Sequence, residues 1–286
     1  MKPNPYLNVD LKITLVISWI ILSFFYMPAS VSASANDKAV LIAPTRVIFE
    51  GRTRAAAVKL INPNDIENTY KISLVSIRMD EHGTRSEVQS PDPEELFAQS
   101  LIRFSPRRAT IPAQGWQTVR LMVKKPRDLP EGEYRSQLKV SPLPKQKGPD
   151  DQQNTENISI SIDIVFNVSI PVIIRHGKSD VRVTPRTPRL VVKEGQYFLE
   201  TLLEREGKFS VFADVRAFVI PNTGEKQKNL ISEIKGISIY SQNQTQQVLL
   251  PIKDKAALTN GLIEIDIVNR EKENAPLLGS KQFDLD

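Results

Sequence analysis

Hydrophobic and polar residues alternate along much of the chain, and the clearest alternation runs from Ile158 to Ile174. Every even-numbered position of this segment is Ile, Val or Phe, which is the period of a β-strand. At roughly 3.3 Å per residue the strand would extend on the order of 55 Å, whereas ordinary strands have ~5 to 6 residues. Its first half is apolar on one face, and Val172–Ile174 is apolar on both. We expect the second half to be buried and the first half to pair with another chain.

Shorter β-type runs occupy the rest of the chain in two sets. The first set is Ala39–Phe49, Ala55–Ile61, Tyr70–Met79, Gln117–Val123 and Arg135–Val140. The second set is Val181–Val183, Leu190–Val192, Tyr197–Leu203, Phe209–Val219, Ile237–Tyr240, Val248–Ile252 and Leu262–Val268. Turn residues separate the runs, and only Pro91–Ala98 favours a helical turn or two. The pattern predicts an all-β fold of two β-sandwich domains, residues 36–175 and 178–286.

The N-terminus has the pattern of a secretory signal peptide. Lys2 and Lys12 precede the apolar stretch Ile13–Met27, and small residues follow it. We expect residues 1–33 to be removed, with cleavage after Ala33 or after Ala35. The alternative is an uncleaved anchor, but the apolar stretch is short for a span of about 20 residues.

The composition of the chain limits the kinds of site and partner that we expect. There is no cysteine, so neither disulfides nor thiolate metal sites are expected. The net charge is +5, but 38 basic residues are spread among 33 acidic ones, and export disfavours nucleic acid as a partner. The two histidines belong to no catalytic or metal motif. We expect no metal, no cofactor and no enzymatic activity, and we expect protein partners that carry carboxylates.

Several segments resemble a known family. They are Ala43–Phe49, Arg54–Asn62, Gly132–Leu138, Ser169–Lys178 and Glu204–Asp214. Together, in this order, they resemble the PapD-like periplasmic chaperones of pilus assembly, and the third and fourth are similar to the non-classical (archaic) type. The resemblance implies two immunoglobulin-like domains in an L-shaped arrangement.

The resemblance also implies a function for the alternating segment. In the family, the last strand of the first domain inserts alternate apolar side chains into the groove of an incomplete pilus subunit. The chain would act in the periplasm, bind pilus or fimbrial subunits, deliver them to an outer-membrane usher, and self-associate when free. The expected donor side chains are Ile158, Ile160, Ile162, Ile164 and Phe166.

Two basic residues anchor the subunit's C-terminal carboxylate in the best-known members of the family. The resemblance places the first at Arg46, but the second falls on Pro171. Arg175 is the expected substitute, with His176 and Lys178 as weaker candidates, because an arginine donates two parallel hydrogen bonds to a carboxylate. The alternatives are a surface role for Arg46 and an interdomain ion pair for Arg175. Pro171 itself predicts a sheet edge or a bulge, because it has no N–H.

Two other functions stay open at this point. One is a structural or adhesive surface protein whose long strand pairs with its own copies in a fibre. The other is a carbohydrate-active enzyme on a β-sandwich, which would need paired carboxylates whose spacing the sequence does not reveal.

Overall fold

A computed structural model describes residues 38–92, 95–144, 165–178, 181–222, 228–253, 258, 261–272 and 274–284. The expected signal peptide and the expected donors from Ile158 to Ile164 lie outside these ranges. Within them, no helix is long and apolar enough to cross a membrane. The helical turn that the structure describes is the 3-10 helix Gln99–Leu101, which comes just after the segment expected to be helical.

Eleven strands of the described residues, nine of which form a sandwich of two sheets, make up the first half of the fold. They are β1 (Leu41–Ala43), β2 (Val47–Phe49), β3 (Ala55–Ile61), β4 (Asn68–Val75), β5 (Ile77–Met79), β6 (Arg85–Glu87), β7 (Ile102–Ser105), β8 (Arg108–Ile111), β9 (Trp116–Val123), β10 (Gly132–Pro142) and β11 (Val168–His176). One sheet has the order β1-β3-β9-β7 and the other β2-β11-β10-β4-β8, while β5 and β6 form a hairpin. Side chains without exposed surface fill the core between the sheets, among them Phe49, Leu60, Leu121 and Leu138.

The predicted run Ala39–Phe49 is divided between the two sheets. β1 pairs antiparallel with β3, whereas β2 pairs parallel with β11, Val47–Phe49 lying beside Val172–Ile174. Pro44 lies between β1 and β2 and has no N–H with which to continue a ladder. The chain passes from one sheet to the other at this point. Arg46 therefore lies one residue before Val47, where β2 begins to pair with β11.

The predicted long strand is confirmed only in its second half. β11 begins at Val168, and residues 165–167 precede it without strand structure, so the expectation of one continuous strand is wrong there. Ile170, Val172 and Ile174 point into the first core, as the period of two requires. Ile173 points to the opposite face, where it is also fully buried.

The other eight strands within the described ranges form a second sandwich. They are β12 (Arg182–Pro185), β13 (Arg189–Lys193), β14 (Gln196–Glu206), β15 (Val211–Pro221), β16 (Asn229–Ile239), β17 (Thr245–Ile252), β18 (Gly261–Asn269) and β19 (Leu277–Asp284). β12, β13 and β17 all pair with β14, and the other sheet has the order β16-β15-β18-β19. Their apolar faces form a separate core that includes Leu203, Val215, Leu250 and Ile265. The predicted all-β fold class is confirmed, while the domain limits 36–175 and 178–286 stay predictions.

Gly279 on β19 lies where the two sheets of the second sandwich approach each other closely. A Cβ atom at this position would overlap the backbone carbonyl oxygen of Val183 on β12. We expect Gly279→Ala to lower the free energy of unfolding by about 1–3 kcal/mol, because a backbone atom cannot move aside as a side chain can. Urea unfolding measures the change. Leu277→Ala is the control, because Leu277 lies on the same strand with 58% of its surface exposed, and an unchanged midpoint for Gly279→Ala would contradict the prediction.

Candidate functional site

Two neighbouring strands carry charged residues on the face that points away from the first core. The antiparallel register of β10 and β11 sets Glu133 opposite Arg175 and Arg135 opposite Ile173. Residues that are directly opposite in a sheet share one face. All four side chains are buried, although none belongs to the first core. Residues of the second sandwich cover them, as the contacts of each charged group show.

Both Nη atoms and the flat face of the Arg46 guanidinium contact the second sandwich. Its Nη1 donates to Oε1 of Glu271 at 3.2 Å, and its Nη2 donates to Oγ of Ser238 at 3.1 Å. The guanidinium carbon lies 4.0 Å from the centroid of the Phe212 ring, a cation–π contact. Burial, and next the charge of Arg135, lower the pKa of Arg46 to about 10. Arg46 is therefore a largely buried cation at neutral pH, and the alternative of a surface arginine is wrong.

Arg175 is the centre of an ion-pair network. Its Nε donates to Oε2 of Glu133 at 3.1 Å, its Nη2 lies 2.8 Å from Oε2 of Glu271, and its Nη1 lies 3.6 Å from Oε2 of Glu50. Burial acts against the charge of Arg175, but the carboxylates of Glu271 and Glu133 outweigh it and raise the pKa. Because Glu133 lies on β10 and Glu271 follows β18, the network joins the two sandwiches. These contacts favour the ion-pair role that the sequence left open for Arg175.

Arg135 is a cation that our sequence reasoning missed. Its guanidinium carbon lies 3.5 Å from the centroid of the Tyr240 ring, and the residue is 5% exposed. Its Nε and Nη1 have no hydrogen-bond partner among the residues that the structure describes. Burial, the main cause, lowers the pKa of Arg135. A buried guanidinium with unused donors is costly unless a ligand or solvent satisfies it.

A signal for Arg135 was present in the sequence. Glu133, Arg135 and Gln137 alternate with Tyr134 and other residues of the opposite face, so the period of two already placed three polar side chains together. What the sequence did not show is that a second sandwich would bury that face.

Pro171 and the weaker basic candidates do not complete a pair with Arg46. Pro171 lies opposite Gln137 in the β10–β11 register, so its position supplies no positive charge. His176 is partly buried at the end of β11, and Lys178 is exposed. Across the described ranges, neither forms an ion pair with Glu133 or Glu271, the carboxylates of the network.

One edge of β11 is open where the expected donor segment enters it. β2 covers only Val172–Ile174, so no described strand pairs with Val168–Pro171 on the side away from β10. The edge expected at Pro171 is therefore found. Val165 and Phe166, immediately before β11, have 51% and 50% of their surfaces exposed. Phe166 is thus the one expected donor that the structure describes, and it is accessible to a partner.

The hairpin β5–β6 forms a second contact between the sandwiches. At its turn, the carbonyl oxygen of Asp80 accepts from Asn243 Nδ2 at 2.9 Å, and that of Glu81 accepts from the backbone N–H of Gln247 at 2.9 Å. A cavity of about 310 Å³ lies between the hairpin and strands β16 and β17. Ser238, the hydrogen-bond partner of Arg46, is one of its lining residues.

Two β-sandwiches joined by a buried network of charges define a two-domain β protein with immunoglobulin-like domains. Residues 39–176 match the family model described as pili and flagellar-assembly chaperone, PapD N-terminal domain. The first sandwich thus matches the PapD-like pilus assembly chaperones, and the predicted resemblance is confirmed over these residues. That family is one of chaperones rather than of enzymes.

Solved structures of such chaperones are similar to the chain at low sequence identity. The YadV chaperone is 13% identical, with 86% of this chain and 100% of that chain covered and a TM-score of 0.44. The Salmonella enterica SafA pilin in complex with the SafB chaperone gives 13% identity, coverage of 86% and 95%, and a TM-score of 0.43. The CsuC–CsuE chaperone–tip adhesion subunit complex of Acinetobacter baumannii gives 15% identity, coverage of 86% and 97%, and a TM-score of 0.43. A search by sequence among curated proteins finds no match.

Proposed function

We propose that the chain is a periplasmic chaperone that captures pilus or fimbrial subunits by donating a β-strand and then delivers them to an outer-membrane usher. The observation that carries the proposal is the open edge of β11 beside the buried cation Arg46. The alternating segment Ile158–Phe166 leads directly into this edge.

Strand donation explains why this segment alternates so strictly. An added strand gains affinity from main-chain hydrogen bonds and specificity from pockets that accept every second side chain. The side chains of Ile158, Ile160, Ile162, Ile164 and Phe166 would fill those pockets. They are in phase with Ile170, Val172 and Ile174, which fill the first core. The same face of one continuous segment would thus complete two cores, that of the chaperone and that of its subunit.

Arg46 would bind the C-terminal carboxylate of the subunit. Arg175 is paired with three carboxylates, so we assign it to the ion-pair network that joins the two sandwiches. Arg135 replaces it in the proposal as the second cation, because its Nε and Nη1 are unused among the described residues. A carboxylate held by charge-assisted hydrogen bonds would supply the partner that Arg135 lacks.

Co-expression with pilin-like exported proteins encoded by neighbouring genes tests the proposal. We expect a one-to-one complex, and we expect Arg46→Ala to weaken it roughly 10- to 100-fold, since hydrogen bonds to charged groups contribute about 1.5–3 kcal/mol. Size analysis and quantitative co-purification measure the loss. Arg103→Ala is the matched control, because Arg103 is an exposed arginine on β7 in the other sheet. Stable self-polymers without any complex would instead favour the structural surface protein.

A further inference from the structure

Glu271 already places a carboxylate where the proposed anchor would receive one. It lies in the connection between β18 and β19, and its backbone N–H donates to Oδ1 of Asn269 at 2.8 Å. Its two carboxylate oxygens are divided between two arginines. Oε1 accepts from Nη1 of Arg46 at 3.2 Å, and Oε2 lies 2.8 Å from Nη2 of Arg175.

The contacts of Arg46 leave little room for a second acid in the same geometry. Nη1 is bonded to Glu271, Nη2 to Ser238, and the ring of Phe212 lies against the flat face of the guanidinium. A bidentate carboxylate needs two parallel N–H donors on one edge of that group. A carboxylate that binds the Nη1–Nη2 edge would therefore compete with Glu271 for Nη1.

We infer that Glu271 is a resident carboxylate that occupies the anchor in the free chain and is displaced from Arg46 when a partner's carboxylate binds. The inference rests on the proposed function, since it requires that Arg46 bind a carboxylate. Glu271 would then set the affinity and the timing of capture, because every binding event begins with the loss of one internal ion pair.

The surroundings of Glu271 permit such an exchange. Its other oxygen keeps Arg175, so Glu271 remains paired after it releases Arg46. The charge balance also allows one more acid. Arg135 and Arg175 are buried and Arg46 is partly buried, and these three cations face the buried Glu133 and the partly buried Glu271, so cations outnumber carboxylates in the network. Glu50 is 61% exposed, so solvent screens its charge.

The sandwiches have contacts that do not depend on the Arg46–Glu271 pair. The hairpin turn at Asp80 and Glu81 is bonded to the second sandwich, and Glu133 accepts from the backbone N–H of Ser210 at 3.0 Å. Release of Arg46 by Glu271 therefore leaves the two halves joined. A substitution at Glu271 also removes one ion pair of Arg175, but these other contacts remain.

Glu271→Gln tests the inference, with a pilin-like subunit that the wild-type chain captures as the probe. We expect the variant to bind this subunit about tenfold more tightly, because a neutral amide competes poorly for Arg46. Arg46→Ala should abolish the gain in the double variant. Glu50→Gln is the control, since Glu50 contacts Arg175 but not Arg46. Thermal unfolding of Glu271→Gln and Glu271→Ala shows whether each variant is folded.

The outcomes separate the inference from the function on which it rests. Suppose that the wild type captures a subunit and that Arg46→Ala loses it. Unchanged or weaker capture by both folded Glu271 variants would then overturn the inference but leave the proposed chaperone function in place. Capture of no pilin-like subunit by the wild type would overturn the proposed function, and the inference with it. A gain in Glu271→Gln that persists without Arg46 would also overturn the inference, because it would place the effect elsewhere.

Discussion

Arg175→Ala is expected to lower the free energy of unfolding of the free chain by about 3–5 kcal/mol. Arg175 neutralises Glu133, a carboxylate with 1% of its surface exposed, through a hydrogen bond of 3.1 Å from Nε to Oε2. Among the described residues, alanine would leave that carboxylate in the interior with the backbone N–H of Ser210 as its remaining hydrogen-bond donor. A buried carboxylate without its cation costs far more than the loss of a surface ion pair.

Urea unfolding of the free chain measures this effect, and two further variants identify its cause. Glu50→Gln removes the exposed partner of Arg175 and should change the free energy of unfolding by less than about 1 kcal/mol. Arg175→Ala combined with Glu133→Gln should recover part of the lost stability, since the double variant no longer buries an unpaired charge. A stable Arg175→Ala variant that fails only in subunit capture would contradict the assignment of Arg175 to the ion-pair network. It would favour Arg175 as an anchor for the subunit's carboxylate instead.

Much of the fold follows from short-range patterns. The run Ala55–Ile61 coincides with β3, and the runs near Trp116 and Tyr197 lie within β9 and β14. Three strands that the sequence analysis missed are short, and one of them also lacks the alternation that it used. β6 is Arg85–Glu87, fully exposed and polar, and β7 and β8 have four residues each. Pairing with neighbours, rather than their own sequence, makes these segments strands.

The sequence predicted two arginines of the site but not the carboxylates with which they pair. Arg46 and Arg175 were identified, and both lie in the buried network. Glu271 was not, because it is separated from Arg46 by 225 positions and lies on the other sandwich. No local pattern reports which carboxylate of the second sandwich meets an arginine of the first. Such a partner emerges only when both halves are folded together.

The donor segment carries the largest functional prediction. We expect Ile162→Asp combined with Ile164→Asp to abolish subunit capture while both sandwiches stay folded. In the proposed complex these side chains enter apolar pockets, and an ionised carboxylate cannot be buried there without a large desolvation cost. The two positions precede β11, whose own core residues begin at Val168 and Ile170, so we expect the cores of the described residues to stay intact. Co-purification measures capture, and urea unfolding of the free variant measures stability.

The matched control adds the same charge to the other face of the segment. Ser159→Asp combined with Ser161→Asp also introduces two carboxylates, but at odd positions, which would point away from the pockets. Capture should therefore fall severely in the first pair and only slightly in the second. Equal losses would show that net charge, rather than the alternate apolar face, controls binding. Undiminished capture by the first pair would remove strand donation from the mechanism and leave the carboxylate anchor, Arg46 with Arg135, as the proposed contact.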